Sequence, residues 1–272
     1  MSELICEVCM HHCHLNDGQL GRCRTRKNED GHNVCANYGR ITSIAMDPIE
    51  KKPLIHFHPG SYILSVGSYG CNLSCPFCQN ASISMADEET SEYRTMSARQ
   101  LADIAIHQKY NLGIAFTYNE PLISYEYIID TAKILKRHHM QVVLVTNGTA
   151  SRQVLEKVMP YVDAMNIDLK GDESFYHELG GDYKTVRDTI AYVYSRCHLE
   201  VTILVIPGKN DTPEFIGEQA EWLASLDSEI VLHLSRYFPR YHYTLPPTDI
   251  DQLVLLQQEA QKYLKYVSIG NV

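Results

Sequence analysis

From about residue 60 the chain alternates short β-rich apolar runs with longer helical stretches, and that alternation limits the folds open to it. The runs cover 62–66, 113–117, 141–146, 164–169, 199–206 and 229–234. Between them the pattern predicts helices near 97–110, 121–139, 151–159, 184–196, 212–226 and 249–265. Pro121, Pro213 and Asp249 make helix starts, and Ser97 a cap. Six strand–helix repeats in series imply a parallel sheet with right-handed crossovers. Near-continuous apolar strands imply helices on both faces. Two closures fit: an open doubly wound sheet, or a barrel with missing units. Either puts the site at the strands' C-terminal ends. The unusual residues fall there: Cys71 after the first strand, Glu120 after the second, Asn147 after the third, Lys170 after the fourth and Pro207-Gly208 after the fifth.

Residues 1–45 lack a convincing period and are read as a small cysteine-rich appendage, with 46–272 as the core domain. The chain has nine cysteines: five between Cys6 and Cys35, three between Cys71 and Cys78, and Cys197 alone. In a reducing compartment such groups read as metal ligands rather than disulfides. Cys197 reads as a small buried apolar residue. Lys plus Arg total 24 against 33 Asp plus Glu, a net charge of −9, which argues against non-specific nucleic-acid binding. No apolar run reaches the roughly 20 residues of a membrane helix. The acidic, cysteine-bearing start is unlike a signal peptide. A cytoplasmic protein with neither nucleic acid nor membrane as partner is expected.

The segment Gly70-Cys71-Asn-Leu-Ser-Cys75-Pro-Phe-Cys78-Gln-Asn80 carries the chemistry. On a helix the three cysteines would share a face, but Pro76 would break that helix and Gly67 and Gly70 favour a loop. Zinc would want a fourth ligand nearby. A 4Fe–4S cluster usually takes four thiolates, so three leave one iron open to bind a substrate.

Cys71-x3-Cys75-x2-Cys78 with an aromatic before the last cysteine resembles the signature of the radical S-adenosylmethionine (SAM) superfamily. With Asp47-Pro-Ile-Glu-Lys-Lys-Pro-Leu54 and His56-Phe-His-Pro-Gly60, the chain is similar to the AmmeMemoRadiSam system radical SAM enzymes, relatives of pyruvate formate-lyase activating enzymes. The resemblance covers nearly the whole chain. It implies a partial (β/α)6 TIM-like barrel, a 4Fe–4S cluster on Cys71, Cys75 and Cys78, and SAM as the molecule cleaved.

Further roles follow residue by residue. Thr117-Tyr118-Asn119-Glu120-Pro121 stands where the family has Gly-Gly-Glu-Pro, which implies contacts from Tyr118, Asn119 and Glu120 to the methionine amino group. A helix start at Glu120-Pro121 is the structural alternative. Asp168 and Lys170 match residues that hold the methionine part, and alternation puts them on one face. A plain ion pair is the alternative there. Asn147 lies in a matching Thr-Asn-Gly, but the acidic ribose ligand expected just before it is replaced by Val145. Pro207, in Val205-Ile-Pro-Gly208, matches a motif that packs on adenine, although by itself it is only a turn before a helix. The family often has a histidine near Phe238; here His233 or Arg236 could serve, although a lone strand histidine is more often structural.

Cys6-x2-Cys9-x3-Cys13-x9-Cys23, among His11, His12 and His14, is a candidate second metal site. Spacing does not separate zinc from an auxiliary iron–sulfur cluster. The need of a short irregular segment for a staple favours zinc.

The resemblance implies an electron donor such as flavodoxin or ferredoxin, and a small-molecule or protein substrate, with the companion proteins of the system among the candidate partners. A glycyl-radical enzyme activase is the alternative. A non-enzymatic scaffold stapled by zinc at both cysteine groups is the rival of another class.

Overall fold

The structure, a computed structural model, describes residues 3–272. Its centre is an eight-stranded sheet built from β1 (Ser43–Pro48), β2 (Tyr62–Gly67), β3 (Asn111–Phe116), β4 (Gln141–Thr146), β5 (Ala164–Asp168), β6 (His198–Val205), β7 (Val231–Arg236) and β8 (Val267–Gly270). The strands lie side by side in chain order. All neighbours are parallel except β1, which runs antiparallel to β2. The helices are α1 (Ala98–His107), α2 (Tyr125–Arg137), α3 (Arg152–Val158), α4 (Glu173–Glu178), α5 (Tyr183–Val193), α6 (Pro213–Leu226) and α7 (Ile250–Ala260).

The six expected strands are present with ends shifted by one or two residues. The expected starts hold as well. Ser97 closes a capping box with Gln100 at the head of α1. Pro213 is the first residue of α6, and the Asp249 carboxylate accepts the Asp251 N–H at the head of α7. Pro121 opens a 3₁₀ turn that runs into α2. The pattern does not announce edge strands β1 and β8, the short α4, or the small hairpins of the N-terminal segment, among them Arg26–Glu29 with His32–Cys35. Because β1 joins the main sheet, a division at residue 45 falls inside a strand.

Alternation along the strands sorts the two sides of the sheet. Leu64, Val66, Ile114, Phe116, Val142, Leu144, Met165 and Ile167 lie in the main hydrophobic core with apolar residues of the helices. The other side, inside the partial barrel, is small or polar: Ser65, Ala115, Val143, Ala164, Asn166, Glu200, Thr202 and His233 are all buried.

The segment between β1 and β2 closes the floor of the barrel. Ile49, Leu54 and Phe57 pack on Ile63, Ala115, Val143 and Ala164. Glu200 clamps this plug. Its carboxylate accepts from Ile55 N at 3.0 Å, His56 N at 2.8 Å, His198 Nε2 at 2.8 Å and His233 Nε2 at 2.6 Å. Burial alone would raise the Glu200 pKa, but the bonds from His198, His233 and His56 N–H bring it down to about 2.

Glu200→Gln should lower stability by about 3 kcal/mol, because a neutral amide cannot accept from all four donors. A depressed carboxylate contributes fully above its ordinary value and loses that contribution as pH falls toward its folded value. Thermal melts from pH 5 down to about 2 should therefore show a steep loss of stability in the native chain and a shallower one in the variant.

Candidate active site

The cysteine segment leaves β2 as an irregular loop, not a helix, and its only helical piece is a single turn at Ala81–Ser84. Other parts of the chain shape it. The Asn119 side chain donates to Tyr69 O at 3.2 Å and Gly70 O at 2.9 Å, and accepts from Ser68 N at 3.0 Å. Ser74 N donates to Leu179 O, and Pro76 O accepts from His242 N at 2.8 Å. Leu73 and Phe77 pack with Phe175, Leu179, Ile206 and Tyr237. Gly70, at φ 84°, meets Cys23 and Thr25 of the N-terminal segment so closely that a Cβ there would stand 2.6 Å from Cys23 O.

Cys71, Cys75 and Cys78 line one cavity of about 270 Å³ at the C-terminal ends of the strands. Tyr118, Asn119, Glu120, Asn147, Asp168 and Lys170 line it too, so the structure brings together most of the residues expected from sequence. Val145 is also in the wall. Thr202, Leu204 and Ser235, which sequence reasoning missed, complete it. The strand period could have found them: Thr202 and Leu204 share the inward face of β6 with Glu200.

Two of the expected residues lie outside this cavity, where their structural alternatives hold. His233 lies on the barrel floor, bonded to Glu200 and to Ser268 Oγ, and does not reach the cavity. It precedes Ser235 by two residues on the same face, one step deeper in the barrel. Pro207 also lies outside the cavity wall. Its motif is a turn, held by Asn210 through Ile206 N, Lys170 O and Leu204 O. Arg236 donates to Thr248 O and is likewise absent from the wall.

Burial pushes the Cys75 thiol up to about 11, against a smaller opposing pull from Lys170, and pushes Cys71 higher still, with Glu120 and Cys75 adding to it. Leu73 N donates to Cys71 Sγ at 3.4 Å, and Asn147 Nδ2 approaches it at 3.7 Å. The Asn147 amide also donates to Asn72 Oδ1 at 2.9 Å.

Glu120 lines the cavity and is also the start of the turn that the structural alternative expects. It caps the following turn through Leu122 N at 3.0 Å, and also accepts from Thr146 Oγ1 at 2.7 Å and Asn147 N at 2.8 Å. Burial outweighs these bonds and raises its pKa to about 7. Across the cavity, Lys170 Nζ donates to Asp168 Oδ2 at 2.9 Å. Burial disfavours the ammonium, but the Asp168 carboxylate and the Cys75 sulfur more than offset that and raise its pKa.

Tyr118 holds a left-handed φ of 73° where the family motif has glycine. Its hydroxyl donates to Asp47 Oδ2 at 2.8 Å, and Lys52 Nζ donates to the same oxygen at 2.9 Å. Buried Asp47 and Lys52 thus tie the segment below β1 to the cavity rim.

Among the described residues, no three His, Cys, Asp or Glu side chains converge closely enough to hold a single metal ion. Among the same residues, no helix is long and apolar enough to cross a membrane.

Residues 65–218, more than half of the chain, match the radical SAM superfamily. The chain belongs to that superfamily. Such enzymes use a 4Fe–4S cluster and SAM, and this one is a radical SAM enzyme whose substrate is unknown. An uncharacterized protein of Methanocaldococcus jannaschii is 38% identical over 98% of this chain and 81% of its own length. A second protein of that organism, provisionally assigned as a glycyl-radical enzyme activating enzyme, is 26% identical over 74% of this chain and 78% of its own. A domain of the pyruvate-formate lyase-activating enzyme from Bacteroides vulgatus has the same fold, with a TM-score of 0.51 and 24% identity over 58% of this chain and 98% of that domain.

Gly70→Ala should cost about 3 kcal/mol, since a left-handed alanine would also press on a backbone carbonyl. The loss should appear as a lower melting temperature with far-ultraviolet circular dichroism unchanged.

Proposed function

We propose that Cys71, Cys75 and Cys78 bind a 4Fe–4S cluster as its three protein ligands, and that SAM occupies the cavity they share with Glu120, Asp168 and Lys170. The observation that carries this reading is the convergence of three free thiols, Glu120 and the Asp168–Lys170 pair on one cavity. The donor set fits the group. Three free cysteine sulfurs line the same cavity, and Cys71 already accepts an amide hydrogen bond. When bound and reduced, the cluster supplies the electron that splits SAM into methionine and a 5′-deoxyadenosyl radical, which takes a hydrogen atom from the substrate.

The protein's own residues bind, orient and shield. Glu120 is set to accept the methionine ammonium, whose charge offsets the burial that now holds its pKa near 7. Lys170 stays cationic beside Asp168 and suits the methionine carboxylate. Ser235 offers a hydroxyl for the ribose, in place of the acid that Val145 replaces, while the Thr202 hydroxyl is already bonded to the Asn166 amide. Phe77, Phe175 and Tyr243 pack around the cysteine loop and exclude water from it.

The electron comes from a low-potential carrier such as flavodoxin or ferredoxin, and the substrate is a small molecule or a protein side chain. The likeness to an activating enzyme supports a second reading, in which the radical is placed on a glycine of a partner enzyme. Supplying a glycyl-radical enzyme separates the two: a stable protein radical by electron paramagnetic resonance supports the activase, and its absence with a range of such enzymes removes it.

Reconstituted protein with dithionite and SAM should yield 5′-deoxyadenosine. Cys71→Ala should yield none. Lys170→Ala should raise the KM for SAM by about tenfold to a hundredfold, the cost of one charge-assisted hydrogen bond. A Cys71→Ala variant as active as the native chain would end this proposal.

A further inference from the structure

The N-terminal segment gathers four cysteines next to the catalytic loop. The pairing Leu4↔Leu15 and Ile5↔His14 sets Cys6 opposite Cys13, and Cys6 N donates to Cys13 O at 2.9 Å. Opposite residues of an antiparallel pair project to the same side. A turn at 21–24 then returns the chain, and a Cβ on Gly21 would stand 3.6 Å from Cys13 Sγ. Cys23 follows two residues later. Cys6, Cys9 and Cys23 are 4%, 7% and 5% exposed, and their sulfurs are close enough to act electrostatically on one another.

All four thiols are free. Four thiolates suit a zinc ion or an iron–sulfur cluster alike, and their place beside the cysteines of the catalytic loop favours the cluster.

Hydrogen-bond donors already point at these sulfurs. Cys23 Sγ accepts from Thr25 Oγ1 at 3.3 Å and Arg26 N at 3.4 Å, and Cys6 Sγ accepts from Asn33 Nδ2 at 3.3 Å. Such bonds stabilise thiolates that carry clustered iron and tune the cluster's potential.

The set also lies against the catalytic loop. Cys23 O abuts Gly70, and Arg24 Nη1 donates to Cys71 O at 3.4 Å. The Asn72 side chain interacts with the Cys9 thiol and, through Asn147, with the surroundings of Cys71 Sγ.

We propose that Cys6, Cys9, Cys13 and Cys23 hold a second iron–sulfur cluster, packed beside the first, where the sequence alone favoured zinc. The test is a Cys71→Ala, Cys75→Ala, Cys78→Ala variant of the full chain, reconstituted without oxygen from iron and sulfide in the presence of competing zinc. The expected result is about four irons and four sulfides per chain, broad visible absorption, and a paramagnetic signal after dithionite. About one zinc and no iron per chain overturns the proposal, as does binding of neither metal.

A second variant covers a folding failure of the first. Cys6→Ser, Cys9→Ser, Cys13→Ser and Cys23→Ser in the otherwise native chain should lose about half of the iron and keep the signal that SAM perturbs. Full iron content in that variant also overturns the proposal. Loss of the SAM-sensitive signal in the native chain, with iron retained in the first variant, would instead count against the assignment of Cys71, Cys75 and Cys78.

Discussion

The cysteine loop has almost no regular structure, so its shape depends on amide side chains, two of them buried. Asn119 binds both Tyr69 O and Gly70 O just ahead of Cys71. Asn147 links Asn72 Oδ1 to the Cys71 sulfur, and Asn72 Nδ2 is anchored on Thr149 Oγ1 at 2.8 Å. These amides come from the ends of β3 and β4, so the rigid sheet fixes the loop's position. Amides suit the task because each offers donors and an acceptor without bringing a charge into a buried place. Glu120, the one buried acid among them, is correspondingly perturbed.

The N-terminal segment is seated on the same ground. Arg26, 1% exposed, donates to Ile123 O at 2.7 Å and pairs with both oxygens of Glu126 at the start of α2. A buried guanidinium is tolerated here because its donors are matched by a carboxylate and a carbonyl. Asn37 adds bonds to Tyr69 O and Ser124 Oγ. Residues 3–40 are thus a wall of the catalytic loop as much as an appendage, and no local pattern announces it, because these contacts join residues far apart in the chain.

What could be read from the sequence was what repeats locally. Six strands and their helices followed from apolar periodicity, and Ser97, Pro213 and Asp249 from local capping chemistry. The cavity residues Glu120, Asn147, Asp168 and Lys170 were legible because strand ends in a parallel sheet share one rim. Strands β1 and β8 were not, since Asp47-Pro48 and Ser268-Ile269-Gly270 carry no run strong enough to announce an edge strand. His233 was misplaced by one strand step: two residues separate it from Ser235, and that step spans the distance from the floor to the cavity. Tyr118 looked like a departure from a glycine motif, yet its backbone keeps the glycine-like φ while its hydroxyl gains Asp47.

The plug between β1 and β2 has a consequence for traffic. With Ile49, Leu54 and Phe57 packed below and Glu200 stapling them to β6 and β7, the barrel has a blind end. Whatever enters must use the mouth beside the cysteines and leave the same way. A nucleotide seated on the charged pairs at the rim would then stand between the interior and any later arrival, which imposes an order of loading: the nucleotide first, the molecule to be attacked second, and spent fragments released only after that second guest withdraws.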